Sequence, residues 1–236
     1  MRLLDKFKML IFSLPLIFYG ASCFAVDTPS VEDLYFDANR AYKEDRYQDS
    51  VDGYLKLIGE GYVTGHLYYN LGNAYFRSGR LGQAILNYKR ARVLIPRDAD
   101  LNFNLSYALD QTQDAIDSDQ SILNQAFFWL EDVTFREMMW VFAVLNIMFW
   151  GILVLRLFVR PEWTYYFFIV LLIFWLVGGA SLGVKWHQLK TDQRSVILVE
   201  EVDVLAGPDL NDTVLFKLHE GTTVHRERIE DDWSLI

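Results

Sequence analysis

The sequence predicts a mainly α-helical chain of stacked helical hairpins, a two-helix membrane hairpin, and a small all-β segment at the end. Three observations lead there. Residue identities recur at a shift of 34 positions. Two uncharged apolar runs of eighteen and twenty-two residues then follow with a short connection between them. From Ser195 onward the apolar period falls to two.

The bulk composition bounds the reading. A length of 236 residues allows one or two small domains. Hydrophobic residues make up 52% and charged residues 22%, but the apolar ones gather in three blocks, leaving ordinary globular composition between them. A net charge of -9 excludes nucleic acid as a partner and a polybasic membrane-surface role. Cys23 is the sole cysteine, which excludes an intrachain disulfide and any Cys-based metal set. His66, His187, His219 and His225 are scattered and are read as surface or boundary residues, so no metal or other cofactor is expected. No enzyme is expected either: Ser, His and Asp form no motif, no Gly-rich phosphate loop follows a strand, and no paired carboxylates mark a cleft.

The first block, residues 1–25, has the layout of a secretory signal. Arg2, Lys6 and Lys8 form its positive region, and Met9 to Tyr19 form an apolar core too short to span a bilayer. Cys23 and Ala25 are small residues two apart, which fits cleavage after Ala25. Lipidation at Cys23 and an uncleaved anchor are the alternatives. Each of the three sends the downstream chain out of the cytoplasm.

Residues 26–115 carry the repeats. The stretch "YNLGNAYFRSGRLGQAILNYKRARVLIP" holds Leu71-Gly72, Tyr75, Ala84, Tyr88, Ala91 and Pro96. A shift of 34 backward sets Ala38 under Gly72, Asn39 under Asn73, Ser50 under Ala84 and Tyr54 under Tyr88. A shift forward sets Leu105 under Leu71 and Ser106 under Gly72. Gly72 and Ala84 are small so that antiparallel helices approach closely, Tyr75, Tyr88 and Ala91 fill the seams, and Pro96 ends a helix. These residues and their spacing resemble tetratricopeptide repeats. Two full repeats, 31–64 and 65–98, and a partial third, 99–115, are expected.

In such repeats the first helix of each pair lines a concave face. Tyr35, Asn39 and Tyr42 share one helical stripe; His66, Tyr69, Asn73, Phe76 and Arg77 form its equivalent in the second repeat, and Phe103, Tyr107 and Asp110 in the third. Aromatic rings and amides in matching places suit an extended or helical peptide, held by stacking and hydrogen bonds. The bland alternative for any one ring is inter-repeat core. Asn39 and Asn70 match a carboxylate clamp known in some of these domains, but Tyr35 and Asp100 stand where it has Lys, so a terminal carboxylate is not the expected ligand. Two and a half repeats leave an apolar face to cover. The stretch Ile122 to Val133 is the expected cap, a partner protein the alternative.

Residues 116–137 read as an acidic linker followed by an amphipathic helix, and the membrane hairpin comes next. Its spans are 138–158 and 163–184. The uncharged runs Met138 to Leu155 and Trp163 to Val184 measure about 27 and 33 Å as helix, close to a hydrocarbon core. Trp163, Tyr165, Tyr166 and Trp186 stand where interfacial aromatic belts do. Arg156 and Arg160 lie between the spans, while Arg136, Lys185, Lys190 and Arg194 flank them outside. Charge counting alone therefore does not favour a cytoplasmic connection; the export signal does. Asn146 is either a functional polar group or an interhelical hydrogen-bond partner, and Gly179 and Gly183 allow close approach within the hairpin or to another span.

Residues 195–236 read as short strands with turns at Gly207-Pro208 and Glu220-Gly221; Val214, Phe216 and Leu218 alternate as in a half-buried strand. The order "VDVLAGP", "VLFKL", "EGT", "DDW" resembles a bacterial SH3 domain. Leu205-Ala206 departs from that family's usual Arg-Ser, and its last strand is missing. Either the barrel is incomplete or a partner strand completes it.

Signal, repeats, two spans and SH3-like tail, in that order, resemble the BatE-type proteins of bacterial aerotolerance operons. The resemblance implies an inner-membrane, periplasm-facing scaffold that binds other proteins, among them von Willebrand A-domain proteins, in an assembly linked to stress resistance. Contact with peptidoglycan through the SH3-like tail is the alternative function.

Overall fold

The computed structural model describes residues 30–114, 126–158, 161–191, 194–230 and 233–236. The signal segment, the linker core and residues 122–125 of the expected cap lie outside these.

Five helices come first: α1 (Val31–Lys43), α2 (Tyr47–Gly59), α3 (Gly65–Arg77), α4 (Leu81–Leu94) and α5 (Ala99–Leu109). The odd-numbered helices start on side-chain caps. Ser30, Thr64 and Asp98 each accept the backbone N–H three residues on, and they stand 34 residues apart. Helices α2 and α4 start at Arg46 and Arg80 with no side-chain cap. The turns before them need a left-handed residue, supplied by Asp45 (φ 57°) and by Gly79 (φ 77°), again one repeat apart. Each helix packs on its chain neighbours, so the five form a two-layer stack with α1, α3 and α5 in one layer.

The core follows from close helix approach. Tyr54, Leu57, Leu71, Ile85, Tyr88 and Leu101 are fully buried along the stack. A Cβ on Gly72 would stand 2.6 Å from the Tyr88 ring, and one on Gly53 2.8 Å from the Ala38 methyl. Only small residues permit these crossings.

Two long helices follow, α6 (Phe135–Phe158) and α7 (Glu162–Thr191). A capping box starts α6: Thr134 Oγ1 accepts the Glu137 N–H, and Glu137 Oε2 accepts the Thr134 N–H. Both helices are long and apolar enough to cross a membrane, with mean hydropathy 2.2 and 2.5 and only 17% and 11% of their apolar windows buried. They pack through Phe142, which meets Gly178 and Gly179, and through Phe149, stacked on Phe168 and Trp175. A Cβ on Gly183 would meet none of the described residues within 4 Å, whereas one on Gly179 would stand 3.3 Å from the Phe142 ring, so of the two it is Gly179 that needs to be small for the hairpin. Ahead of α6, a single 3₁₀ turn (Phe128–Leu130) rests on α7: Trp129 Nε1 donates to Ser181, and Lys185 Nζ donates to the Leu130 carbonyl.

The C-terminal strands are β1 (Arg194–Val196), β2 (Glu201–Leu205), β3 (Val214–His219), β4 (Thr223–His225), β5 (Arg228–Glu230) and β6 (Trp233–Leu235). They pair antiparallel as three two-stranded ladders, β1 with β4, β2 with β3 and β5 with β6. The half-buried alternation expected of β3 holds only at Leu218; Val214 and Phe216 are 46% and 51% exposed. Leu218 sits at the end of the strand nearest the contact with the repeats, where Asp114 accepts the His219 N–H.

That contact is the long-range feature of the fold. The Gly82 N–H, at the uncapped start of α4, donates to Glu220 Oε1 at 2.9 Å. Asp114 Oδ2 accepts the His219 N–H and the Thr222 hydroxyl, both at 2.7 Å, and Asp114 Oδ1 lies 3.0 Å from the His219 ring. Lys89 Nζ donates to Thr223 Oγ1. Gly221 lies against Ile85, Leu81 and Thr112 so closely that a Cβ would stand 2.9 Å from Ile85 Cδ1. Among the described residues, it is therefore the β segment that covers this part of α4.

Candidate peptide-binding face

The repeat period builds a hydrogen-bonded ladder along the odd-numbered helices. In the first rung Asn39 Oδ1 accepts from the Tyr54 hydroxyl at 2.7 Å and from Asn70 Nδ2 at 3.3 Å, while Asn70 Nδ2 also donates to the Tyr35 hydroxyl at 3.0 Å. The second rung repeats this 34 residues on. Asn73 Oδ1 accepts from the Tyr88 hydroxyl at 2.7 Å and from Asn104 Nδ2 at 2.9 Å, and Asn104 Nδ2 donates to the Tyr69 hydroxyl at 3.0 Å.

Each rung joins one odd-numbered helix to the next and to the helix between them. Burial raises Tyr88 well above the ordinary phenol range, pushes Tyr54 up to about 12, and raises Tyr69 as well. The Tyr54 and Tyr88 hydroxyls therefore stay protonated and keep donating.

The sequence-predicted residues fall into two groups around this ladder. Tyr35, Asn39, Tyr69 and Asn73 are half-buried and bonded within it. In the second group Tyr42 and Phe76 are partly buried against the core, and Phe103 and Tyr107 are exposed. Tyr42 stands edge-on to Tyr47 at 5.6 Å, Phe76 lies 5.8 Å from Tyr107, and Tyr107 is stacked on Phe103 at 6.4 Å. Phe103 is 70% exposed and Tyr107 53%. Arg77 lies over the Tyr47 ring at 4.8 Å and 3.5 Å from Asp45, so its charge bridges the first two repeats. His66 and Asp110 are exposed at the margins.

Four partners in the ladder, Tyr54, Asn70, Tyr88 and Asn104, are not among the stripe residues that the sequence marks as binding ones. A signal for them exists. Tyr54 and Tyr88 are one period apart, as are Asn70 and Asn104. What the arrangement provides chemically is a rigid floor of protonated phenols and amides under a set of accessible rings, with no nucleophile–base pair and, among the described residues, no group of metal-binding side chains.

No curated protein matches the chain. Residues 72–113, running from the middle of α3 past the end of α5, match the family model described as TPR repeat, which is typically a non-catalytic protein-binding scaffold.

Proposed function

We propose that this protein is a membrane-anchored scaffold that holds a segment of a partner protein against the face carrying Tyr42, Phe76, Phe103 and Tyr107, on the outer side of a bacterial inner membrane. The observation that carries the reading is the division of labour along α1, α3 and α5. One set of polar side chains is consumed in fixing the helices, while Phe103 and Tyr107 stay exposed beside the partly buried Phe76, whose equivalent one repeat earlier is Tyr42. Large rings held rigidly lose little entropy on binding, which is why such faces grip peptides.

The two long apolar helices supply the anchor. Residues 82–114 precede them and residues 197–223 come after them, yet the two stretches are bonded to one another. Two crossings return a chain to the side it left, so this contact supports a membrane hairpin over one buried end alone. The export-type start of the sequence puts that shared side in the periplasm. The resemblance to BatE-type scaffolds gives the same placement and suggests von Willebrand A-domain proteins as partners.

A photo-crosslinking residue at Phe76 in intact cells tests the binding face, with the same residue at Lys56 on the exposed side of α2 as control. An adduct from position 76 that disappears with Tyr42→Ala is expected. Equal adducts from both positions, or none from position 76, overturn the reading. Alkaline phosphatase fused after residue 114 or 236 should be active, and after residue 160 inactive; the reverse pattern overturns the placement.

A further inference from the structure

The ladder has a direction, and its two ends depart from it in a correlated way. Inside the stack, the forward-facing positions of one repeat are a tyrosine and an asparagine (Tyr35 with Asn39, Tyr69 with Asn73). The backward-facing position of the next is the asparagine that donates to both, Asn70 or Asn104. One period before Asn70 stands Phe36, on the open side of α1 and 68% exposed. One period after Tyr69 and Asn73 stand Phe103 and Tyr107, on the open side of α5 and 70% and 53% exposed. The polar donor is thus replaced by a ring at the front end, and its two acceptors are replaced by rings at the back end.

We infer that the two ends are made for one another: α1 of a second copy seats on α5, with Phe36 against the Phe103–Tyr107 pair, so that copies join head to tail. An unrelated partner at one end would require no matching change at the other. Rings against an interior-type rung would leave its amide or phenol groups unpaired, at a cost. Rings against rings strand no amide and bury large apolar area.

The flanking charge is compatible. In the interior, Arg77 reaches Asp45 across a repeat boundary. At the joint, Lys43 replaces Arg77 and faces the Asp45-equivalent, Gln113, which is a donor against an acceptor. The β segment, covering α4 and the end of α5 through Glu220, Gly221 and Asp114, already serves as the second layer beside the joint. A head-to-tail contact is heterologous, so it propagates into a row or closes into a ring rather than stopping at a pair.

The test uses the full chain in nanodiscs or mild detergent, in a Cys23→Ser background. Copies carrying Phe36→Cys are mixed with copies carrying Tyr107→Cys and oxidised. A mixed disulfide dimer is expected, with each variant alone giving little, and the chain carrying both changes giving a ladder of multimers. A dominant 36–36 or 107–107 product overturns the head-to-tail joint.

Because a disulfide demands close geometry, light scattering against concentration supplies the second arm. The unmodified chain should associate, and Phe36→Asp should weaken that association about tenfold or more. A chain that stays monomeric at all concentrations, or that associates equally well with Phe36→Asp, overturns the inference. Phe103 and Tyr107 also belong to the proposed partner-binding face, so a second copy and a partner segment compete for α5, whereas Phe36 lies outside that face. Its substitution should leave the Phe76 adduct in place, which separates failure of the joint from failure of the scaffold reading.

Discussion

At the scale of single residues, the Tyr88 hydroxyl shows how the repeats are held. It is fully buried, and its one acceptor is Asn73 Oδ1. Replacing Tyr88 by Phe removes one hydroxyl and leaves Asn73 still bonded to Asn104, so the expected loss is about 1 kcal/mol. Replacing Asn73 by Leu strands the buried hydroxyl and removes a partner of Asn104, so about 2–3 kcal/mol is expected. Urea titrations of the two variants should rank them in that order; equal losses would mean the rung carries no hydrogen-bond energy.

Glycines supply a second comparison. Gly72→Ala forces a methyl to 2.6 Å from the Tyr88 ring, whereas a Cβ on Gly59 meets nothing within 4 Å. The first should cost about 1–3 kcal/mol and the second stay within about 0.5 of neutral, read from the same titrations.

These residues are legible as equivalent positions, because periodicity reports which sites share an environment. Periodicity does not report which atoms meet. Asn39 and Asn73 read equally well as peptide-gripping amides and as ladder members, and only the positions of Asn70 and Asn104 on the next helix show their Oδ1 atoms bonded there.

At the scale of elements, the start of each helix separates what sequence reveals from what it hides. Ser30, Thr64 and Asp98 are local caps, readable three residues ahead of the bonds they accept. The start of α4 has no such residue, and its N–H at Gly82 is met by Glu220, 138 positions away. No local rule anticipates that partner. The same limit explains β3. Alternation correctly marks a strand, but burial of its inner face requires a second layer, and among the described residues only Leu218 finds cover.

The Asp114 carboxylate gives this contact a pH dependence. Three donors hold it, first the Thr222 hydroxyl and then the His219 backbone and ring, and they lower its pKa to about 2. A carboxyl lowered on folding contributes its full stability above the ordinary Asp value of about 3.9 and loses it as pH falls through the folded value. The β segment should therefore stay docked at pH 5 and loosen between about pH 4 and pH 2. Amide exchange at His219 measures this directly. Protection unchanged down to pH 2 would show that Asp114 does not hold the segment, and Asp114→Asn should bring the loosened state to neutral pH.

At the scale of the whole molecule, the question is what the β segment contributes to the stack of five described helices. Short repeat arrays are stabilised mainly by neighbour contacts, so an uncovered end weakens every repeat behind it. The sequence places the cover at Ile122 to Val133, where Ile122, Phe127, Leu130 and Val133 fit roughly helical spacing, with a partner protein as the alternative. In the described part of that stretch, the 3₁₀ turn rests on α7 through Trp129 and Leu130, and it meets the repeats through Glu131, 3.8 Å from Arg92 on α4.

Cover for Leu81 and Ile85 on α4 comes from Gly221, and the α4 start is capped by Glu220. Removing residues 195–236 exposes part of those two side chains, uncaps α4 and frees Asp114. Together these amount to about 2–3 kcal/mol. For a folded unit of this size each 1 kcal/mol moves the midpoint by roughly 4–8 °C, so the repeats of a chain ending at Arg194 should melt roughly 10–20 °C below those of the full chain in the same detergent. Circular dichroism resolves this, provided the repeat transition is separated from that of the two long helices by limited proteolysis within α3 and α4. Equal midpoints would show that the repeats are stable alone and that the β segment merely rests on them. A lowered midpoint that Asp114→Asn and Glu220→Ala together largely reproduce would assign the stabilisation to these two carboxylates.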